Sequence, residues 1–240
     1  MDWLSPAELA IIALSLKVSA VAIAGVLPLA FGLAWVLARM SFPGKVLLDA
    51  AVHLPLVLPP VVTGWLLLLA FGRNGPAGQL LERWFGISLV FQWTGAALAA
   101  AIMALPLMVR AIRLSLENVD PRLEGVARTL GAGPWRTFAR ITLPLSLPGV
   151  LAALVLGLAR SLGEFGATIT FVSNIPGETR TLPLAIYTAL QLPAGEDAVT
   201  RLALISVGIS LAALAFSEWL ARRSGSGRGR PRRAGAGHVL

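Results

Sequence analysis

Apolar runs too long for a soluble helix recur along this chain, and they restrict its fold more than any other feature. They cover roughly 10–38, 47–71, 89–109, 144–171 and 200–221. A bilayer core about 30 Å thick is crossed by about 20 apolar residues in a helix. Of the 240 residues, 56% are hydrophobic and only 13% are charged. That charged share is about half what a soluble domain of this length carries. The runs are continuous rather than alternating, so helices are expected and a β-barrel is not. The expected fold is an all-α integral membrane protein with about five transmembrane helices.

Charge sets the expected orientation. The connections 39–46 and 110–143 and the tail after 221 hold two, six and six basic residues. The connections 72–88 and 172–199 hold only Arg73, Arg83 and Arg180, with Arg201 at the next boundary. Basic residues mark cytoplasmic connections, which places the N-terminus outside and the C-terminus in the cytoplasm. The formal charge of +8 is read in the same way, without invoking nucleic acid. No basic stretch precedes Lys17, so no cleaved secretory signal is expected and the first span should direct insertion. That span is long for one crossing. It tilts, or residues 5–12 lie along the interface. A six-span alternative splits it at Gly25–Pro28. Lys17 is expected to snorkel to a membrane boundary.

Two domains of behaviour follow: a transmembrane unit over 1–221 and a basic Gly/Ser/Arg tail over 222–240, expected to be disordered. A solvated tail attracted to anionic lipid is the plain reading of that composition.

The segment 123–149, "LEGVARTLGAGPWRTFARITLPLSLPG", breaks the pattern of greasy spans. Leu123, Val126, Ala127 and Leu130 fall at i, i+3, i+4 and i+7, one apolar stripe on a short helix. Gly131-Ala132-Gly133 ends that helix, and Pro134 suits the first position of another. Trp135 and Phe138 give the second piece its own apolar face, and Pro144 is expected to close it. Two short amphipathic helices at an angle need a cover. Membrane headgroups or a groove on a soluble partner would serve. The fixed glycine bend favours the partner.

The same spacing resembles the signature loop of ATP-binding-cassette (ABC) importer permeases: EAA, three residues, glycine, nine residues, I-x-L-P. With Gly131 on the motif glycine, Ile141, Leu143 and Pro144 fall on I-x-L-P. Val126 and Ala127 take the two alanines. Gly125 stands where the motif glutamate belongs, and Glu124 lies one place earlier. "LPLVLPPVVTGWLLLLAFGRNGPAG", "ALPLMVRAIRLSLENVD" and "ARSLGEFGATITFVSNIPGETRTLP" extend the likeness over most of 12–221, toward the molybdate branch beside the sulfate branch. The resemblance implies a type I importer permease fold with a cytoplasmic coupling loop over 123–143. It implies a homodimer in the bacterial inner membrane. Two ATP-binding cassette subunits would sit on its cytoplasmic side, with a molybdate-binding protein outside. Ala127, Gly131, Ala132, Trp135, Phe138, Ile141, Leu143 and Pro144 would couple to the ATPase.

Two further features sit inside or beside the expected spans. Pro59 and Pro60 of "HLPLVLPPVVTGW" remove backbone donors and bend the second span, either for packing or to line a pathway. Arg160 and Glu164 lie one turn apart in the fourth span. Ionisable groups there face protein or water, as a packing ion pair or as part of a translocation path. Asn174, Glu178 and Arg180 in "SNIPGETRTLP" lie in an external loop whose turn residues explain it by themselves. The resemblance adds docking of the binding protein.

Several activities lack their residues. There is no cysteine, and the two histidines, His53 and His238, are far apart, so no disulfide, zinc site or other metal site is expected. No cofactor is expected. Lys17 and Lys45 are the only lysines, and neither completes a phosphate-binding GxxxxGK[ST] loop. No Gly-x-Ser-x-Gly elbow occurs. The function that the resemblance implies is transport of molybdate with ATP hydrolysed elsewhere, and these absences agree with no enzymatic activity being expected of this chain. Tungstate or sulfate as cargo, or an ion-coupled secondary transporter, are the alternatives.

Overall fold

The computed structural model describes residues 5–193 and 195–225. Among them the chain is helical, without strands. The elements are α1 (Pro6–Arg39), α2 (Lys45–Val57), α3 (Pro60–Phe71), α4 (Pro76–Phe85), α5 (Trp93–Glu117), α6 (Pro121–Thr129), α7 (Pro134–Thr137), a π turn (Phe138–Thr142), α8 (Leu143–Leu162), α9 (Gly166–Val172), α10 (Leu182–Leu190) and α11 (Glu196–Gly225).

Ser5 starts α1 with a capping box: its hydroxyl accepts from the Glu8 N–H, and Glu8 Oε2 accepts from the Ser5 N–H at 2.8 Å. This satisfies two otherwise orphaned donors. The helix then runs unbroken for 34 residues through Gly25 and Pro28. The split of the six-span alternative is absent, and residues 6–12 belong to the same helix.

Small residues let α1, α5 and α8 approach closely. Ala22, Ala30 and Ala34 on α1 and Ala96, Ala99, Ala100 and Ala104 on α5 are buried. Gly157 on α8 meets Met108 and Ile23, whose atoms would lie 2.7 and 2.9 Å from a Cβ there. Lipid tails are as apolar as leucine, so contacts of this kind, rather than water exclusion, hold spans together. Two of the three core clusters among the described residues include both α1 and α5. One joins Val18, Met103 and Phe171. The other joins Leu37, Val52, Met108, Ile112 and Leu116.

Among the described residues, three helices are individually long and apolar enough to cross a membrane: α1, α5 and the continuous helix Pro134–Leu162. The expected second span, 47–71, is two helices, α2 and α3, bent by 115° at Leu58–Pro59. The adjacent prolines make this a break rather than a kink. The expected fourth span, 144–171, stops at Leu162, and α9 begins only at Gly166. Pro144 does not close a helix, contrary to the sequence reading. A π turn over 138–142, with the Leu143 N–H bonding to the Phe138 carbonyl, precedes it. The helix continues through Pro144 because the wider turn accommodates a residue with no donor. α11 stands where the fifth span was expected and continues to Gly225, past the expected boundary at 221. The rest of the basic tail, 226–240, lies outside the described residues.

The loose connections are tied back to the bundle. Ser15 Oγ accepts from the buried Leu182 N–H at 2.7 Å and donates to the Ile11 carbonyl. Arg201 on α11 reaches Glu8 at 3.1 Å. Lys17 does not float in lipid: its Nζ lies 3.7 Å from the centroid of the Trp93 ring, a cation–π contact at the start of α5.

Gly64 on α3 faces α9 so closely that a Cβ would sit 2.6 Å from the Ala167 carbonyl oxygen and 2.8 Å from Thr170 Cβ. Gly64→Val is expected to destabilise by about 1–3 kcal/mol, read as a fall of roughly 2–10 °C in the melting temperature of the purified protein. Gly25→Ala, with nothing within 4 Å of the added methyl, should melt at or above the parent. An unchanged melting temperature in Gly64→Val would contradict the α3–α9 contact.

Candidate functional site

Asp120 begins α6 by accepting from the Arg122 N–H at 2.9 Å, with Pro121 next in the chain. The helix ends in a Schellman motif. Gly131 has φ +84°, the Gly131 N–H bonds to the Arg128 carbonyl, and the Ala132 N–H bonds to the Ala127 carbonyl, both at 3.0 Å. Glycine takes this left-handed conformation without the penalty a Cβ brings. After the turn, Pro134 starts α7, which runs into the π turn and α8.

This elbow is fixed to the bundle at two points. Glu124 Oε1 accepts from Arg39 Nη2 at 3.0 Å and from Thr142 Oγ1 at 2.8 Å. One carboxylate thus joins the end of α1, α6 and the π turn. Arg128 lies 3.9 Å from its other oxygen. Phe138 packs its ring against Trp35 and Phe31 of α1, with centroids 5.2 and 6.0 Å apart, and against Trp135 at 5.5 Å.

The outer side of the elbow is bare and oily. Leu130 is 81% exposed and Trp135 76%, and Leu123 and Val126 are exposed beside them. Of the sequence-predicted coupling residues, Ala127, Ala132, Phe138 and Ile141 are half-buried and support the turn. Gly131, Trp135, Leu143 and Pro144 are exposed.

The predicted path residues meet at the two helix breaks. A Cβ on Gly166 would lie 2.8 Å from Pro60 Cβ, so α3 and α9 start side by side. Glu164 is buried at this junction. Its Oε1 accepts from the Ala167 N–H at 2.8 Å, capping α9. Its Oε2 lies 2.6 Å from Arg160 Nη1, a charge pairing without hydrogen-bond alignment. Pro59 and Pro60 are exposed beside this pair. Glu164 thus serves the backbone as well as Arg160, because orphaned N–H groups at a helix start need an acceptor where water is scarce.

The predicted docking residues separate into two kinds. Asn174 and Arg180 brace their own loop: Arg180 Nε donates to Asn174 Oδ1 at 2.9 Å, and Asn174 Nδ2 donates to Thr188 Oγ1 at 2.7 Å. Only Glu178 of the three is exposed.

Sequence reasoning missed two linkages. Glu124 sits one place before the motif glutamate, and its partners Arg39 and Thr142 are distant in sequence. The second joins α2 to α5 near the elbow side, where Arg113 reaches Asp49 at 3.1 Å and Glu117 at 2.8 Å. Its available signal was an Asp and an Arg at the edges of apolar runs.

Removing the Glu124 carboxylate should loosen the elbow while leaving the bundle intact. In Glu124→Ala, amide hydrogen exchange across α6 should rise about tenfold or more, in line with roughly 1.5–3 kcal/mol for bonds to a charged group. Exchange in α5 should not change. Native protection of α6 in that variant would contradict the anchoring role.

The chain's likeness to known proteins agrees with this geometry. Residues 27–226 match the family described as binding-protein-dependent transport system inner membrane component. Over 217 residues the chain is 61% identical to the molybdenum transport system permease protein ModB of Escherichia coli strain K12, covering 90% of this chain and 95% of that protein. It is 60% identical over 216 residues to the ModB of Haemophilus influenzae, covering 90% of this chain and 94% of that protein. Among solved structures, a bacterial alginate ABC transporter in complex with an alginate pentasaccharide-bound periplasmic protein superimposes with a TM-score of 0.73 at 21% identity. That match covers 91% of this chain and 80% of that one, and it bears on the fold alone.

Proposed function

The chain belongs to the binding-protein-dependent transport system inner membrane component family, and we propose that it is the permease subunit of an ATP-driven molybdate importer. Two copies form the conduit in the bacterial inner membrane. Two ATP-binding cassette subunits grip the 123–143 elbow from the cytoplasm, and a molybdate-binding protein delivers cargo from outside. The C-terminus is cytoplasmic.

The observation that carries this reading is the elbow itself. Leu130 and Trp135 are left open on a rigid, doubly anchored turn. Burying side chains of this size is worth about 1.5–3 kcal/mol each. A groove on a soluble partner that covered them would hold the elbow firmly, and the anchors to α1 would pass its displacement to the bundle. Mobile side chains on a floppy loop could not do so.

The abutting breaks support the second half of the reading. Arg160 offers a positive charge to a tetrahedral dianion, while Glu164 keeps the attraction modest, as a conduit requires. Glu178 is the docking residue best placed to meet a soluble partner, and Asn174 and Arg180 hold its loop in shape. The cargo assignment rests on the high identity to molybdenum permeases.

The test is uptake of radiolabelled molybdate into proteoliposomes containing the chain, a separate nucleotide-binding subunit from the same organism and a molybdate-binding protein. Uptake that needs ATP and the separate subunit, and that vanadate stops, supports the proposal. Uptake driven by an ion gradient without that subunit would overturn it. Competition by excess tungstate or sulfate reports the cargo range. Leu130→Asp should reduce ATP-driven uptake at least tenfold and release the ATPase subunit during purification, with normal amounts of chain in the membrane. Full uptake in that variant would remove the elbow from the mechanism.

A further inference from the structure

The helix α4 has no part in the proposal above, yet it is sharply two-faced. Leu80 and Trp84 fall at i and i+4, as do Leu81 and Phe85, on one side. Gln79, Glu82 and Arg83 fall on the other. The apolar side is uncovered: Leu80 is 60% exposed, Trp84 74% and Phe85 69%.

Its position is fixed. Three glycines press the start of α4 onto the end of α3. A Cβ on Gly75 would lie 2.4 Å from the Leu69 carbonyl oxygen, and one on Gly78 would lie 2.0 Å from that of Gly72. Beyond α4, the connection is held in turn to α5, where a Cβ on Gly95 would lie 2.1 Å from the Leu89 carbonyl oxygen. The start of α4 is therefore held against the end of α3, in the connection that leads to α5. α5 leads at its other end into α6, so this connection is on the membrane face opposite the elbow.

We propose that α4 is an interfacial anchor whose Leu80–Trp84–Phe85 face lies in the headgroup boundary of the leaflet opposite the elbow. Three observations favour lipid over a protein cover. The exposed apolar side chains Leu66 and Leu69 of α3 lead directly to the clamped end of α4, so its face continues a band of membrane-embedded surface. A tryptophan-containing apolar face opposite a charged one, on a segment of low net hydrophobicity, is the composition that settles at the interface. Three side chains fall well short of the roughly 800 Å² per partner that a stable protein interface buries, and a partner that docks and leaves would bare them in every cycle. The inference depends only on the chain being a membrane protein, so it stands or falls separately from the cargo and the ATPase partner.

The absence of cysteine makes the test direct. Trp84→Cys and Leu80→Cys on the apolar face, and Glu82→Cys on the polar face, are spin-labelled in the reconstituted full complex in phosphatidylcholine/phosphatidylglycerol vesicles. Accessibility to oxygen and to a water-soluble nickel chelate is then measured. The expected result is an oxygen-to-nickel ratio several-fold higher at 84 and 80 than at 82. A label at 84 and 80 as open to nickel as that at 82 would overturn the proposal. So would labels shielded from both reagents, which would mean a protein cover, whether a second copy or the docked binding protein. If Trp84→Cys fails to assemble, Leu80→Cys carries the same reading alone.

Discussion

In hydrocarbon every backbone N–H and carbonyl must find a partner within the protein, and this single constraint organises the structure. A continuous helix meets it almost entirely by itself, and α1 and α5 each pass one internal proline, Pro28 and Pro106, without interruption. Each interruption has to be covered. The break at Leu58–Pro59 uses prolines, which have no N–H and so need no acceptor, and the break at 163–165 is capped by the buried carboxylate of Glu164. The two breaks then lie against each other through Gly166 and Pro60, with Glu164 buried between them and Pro59 and Pro60 exposed on the outer side. Arg160 makes the buried carboxylate tolerable, and it places a charge beside the only pair of interrupted spans among the described residues.

At the other end of α8 the same logic yields a joint instead of a gap. Helix Pro134–Leu162 carries the elbow's second limb straight into the bundle, and the π turn at 138–142 lets it pass Pro144 without stopping. Glu124 and Phe138 tie the first and second limbs to α1. Under the proposed function, a push on the exposed Leu130–Trp135 surface would reach two spans at once, one by continuity and one by contact. A hinge that leaked motion into a loose loop would not need a Schellman cap, a three-way carboxylate and an aromatic cluster.

Much of this was legible in the residues. The spans announced themselves by length and apolar content, and the end of the first elbow helix followed from an apolar stripe running into Gly-Ala-Gly. The adjacent prolines at 59 and 60 marked one break. The second break was hidden, because "GEFGATITFV" continues the apolar run and Arg160–Glu164 has the spacing of an ordinary within-helix pair. Nothing in that spacing tells a carboxylate that pairs along a helix from one that also caps the next. Pro144 misled for a similar reason: whether a proline ends a helix depends on the turn before it, and a π turn has no sequence signature. Glu124 was visible but misregistered, since its importance comes from Arg39 and Thr142, which tertiary folding alone brings to it.

The account is tested most directly by a photo-crosslinking amino acid at position 135, in place of Trp135, in membranes that contain the whole transport system. The account predicts an ultraviolet-dependent adduct with the nucleotide-binding subunit, formed on the cytoplasmic side and lost when that subunit is omitted. An adduct with lipid alone, or one formed with a protein on the exterior side, would contradict it.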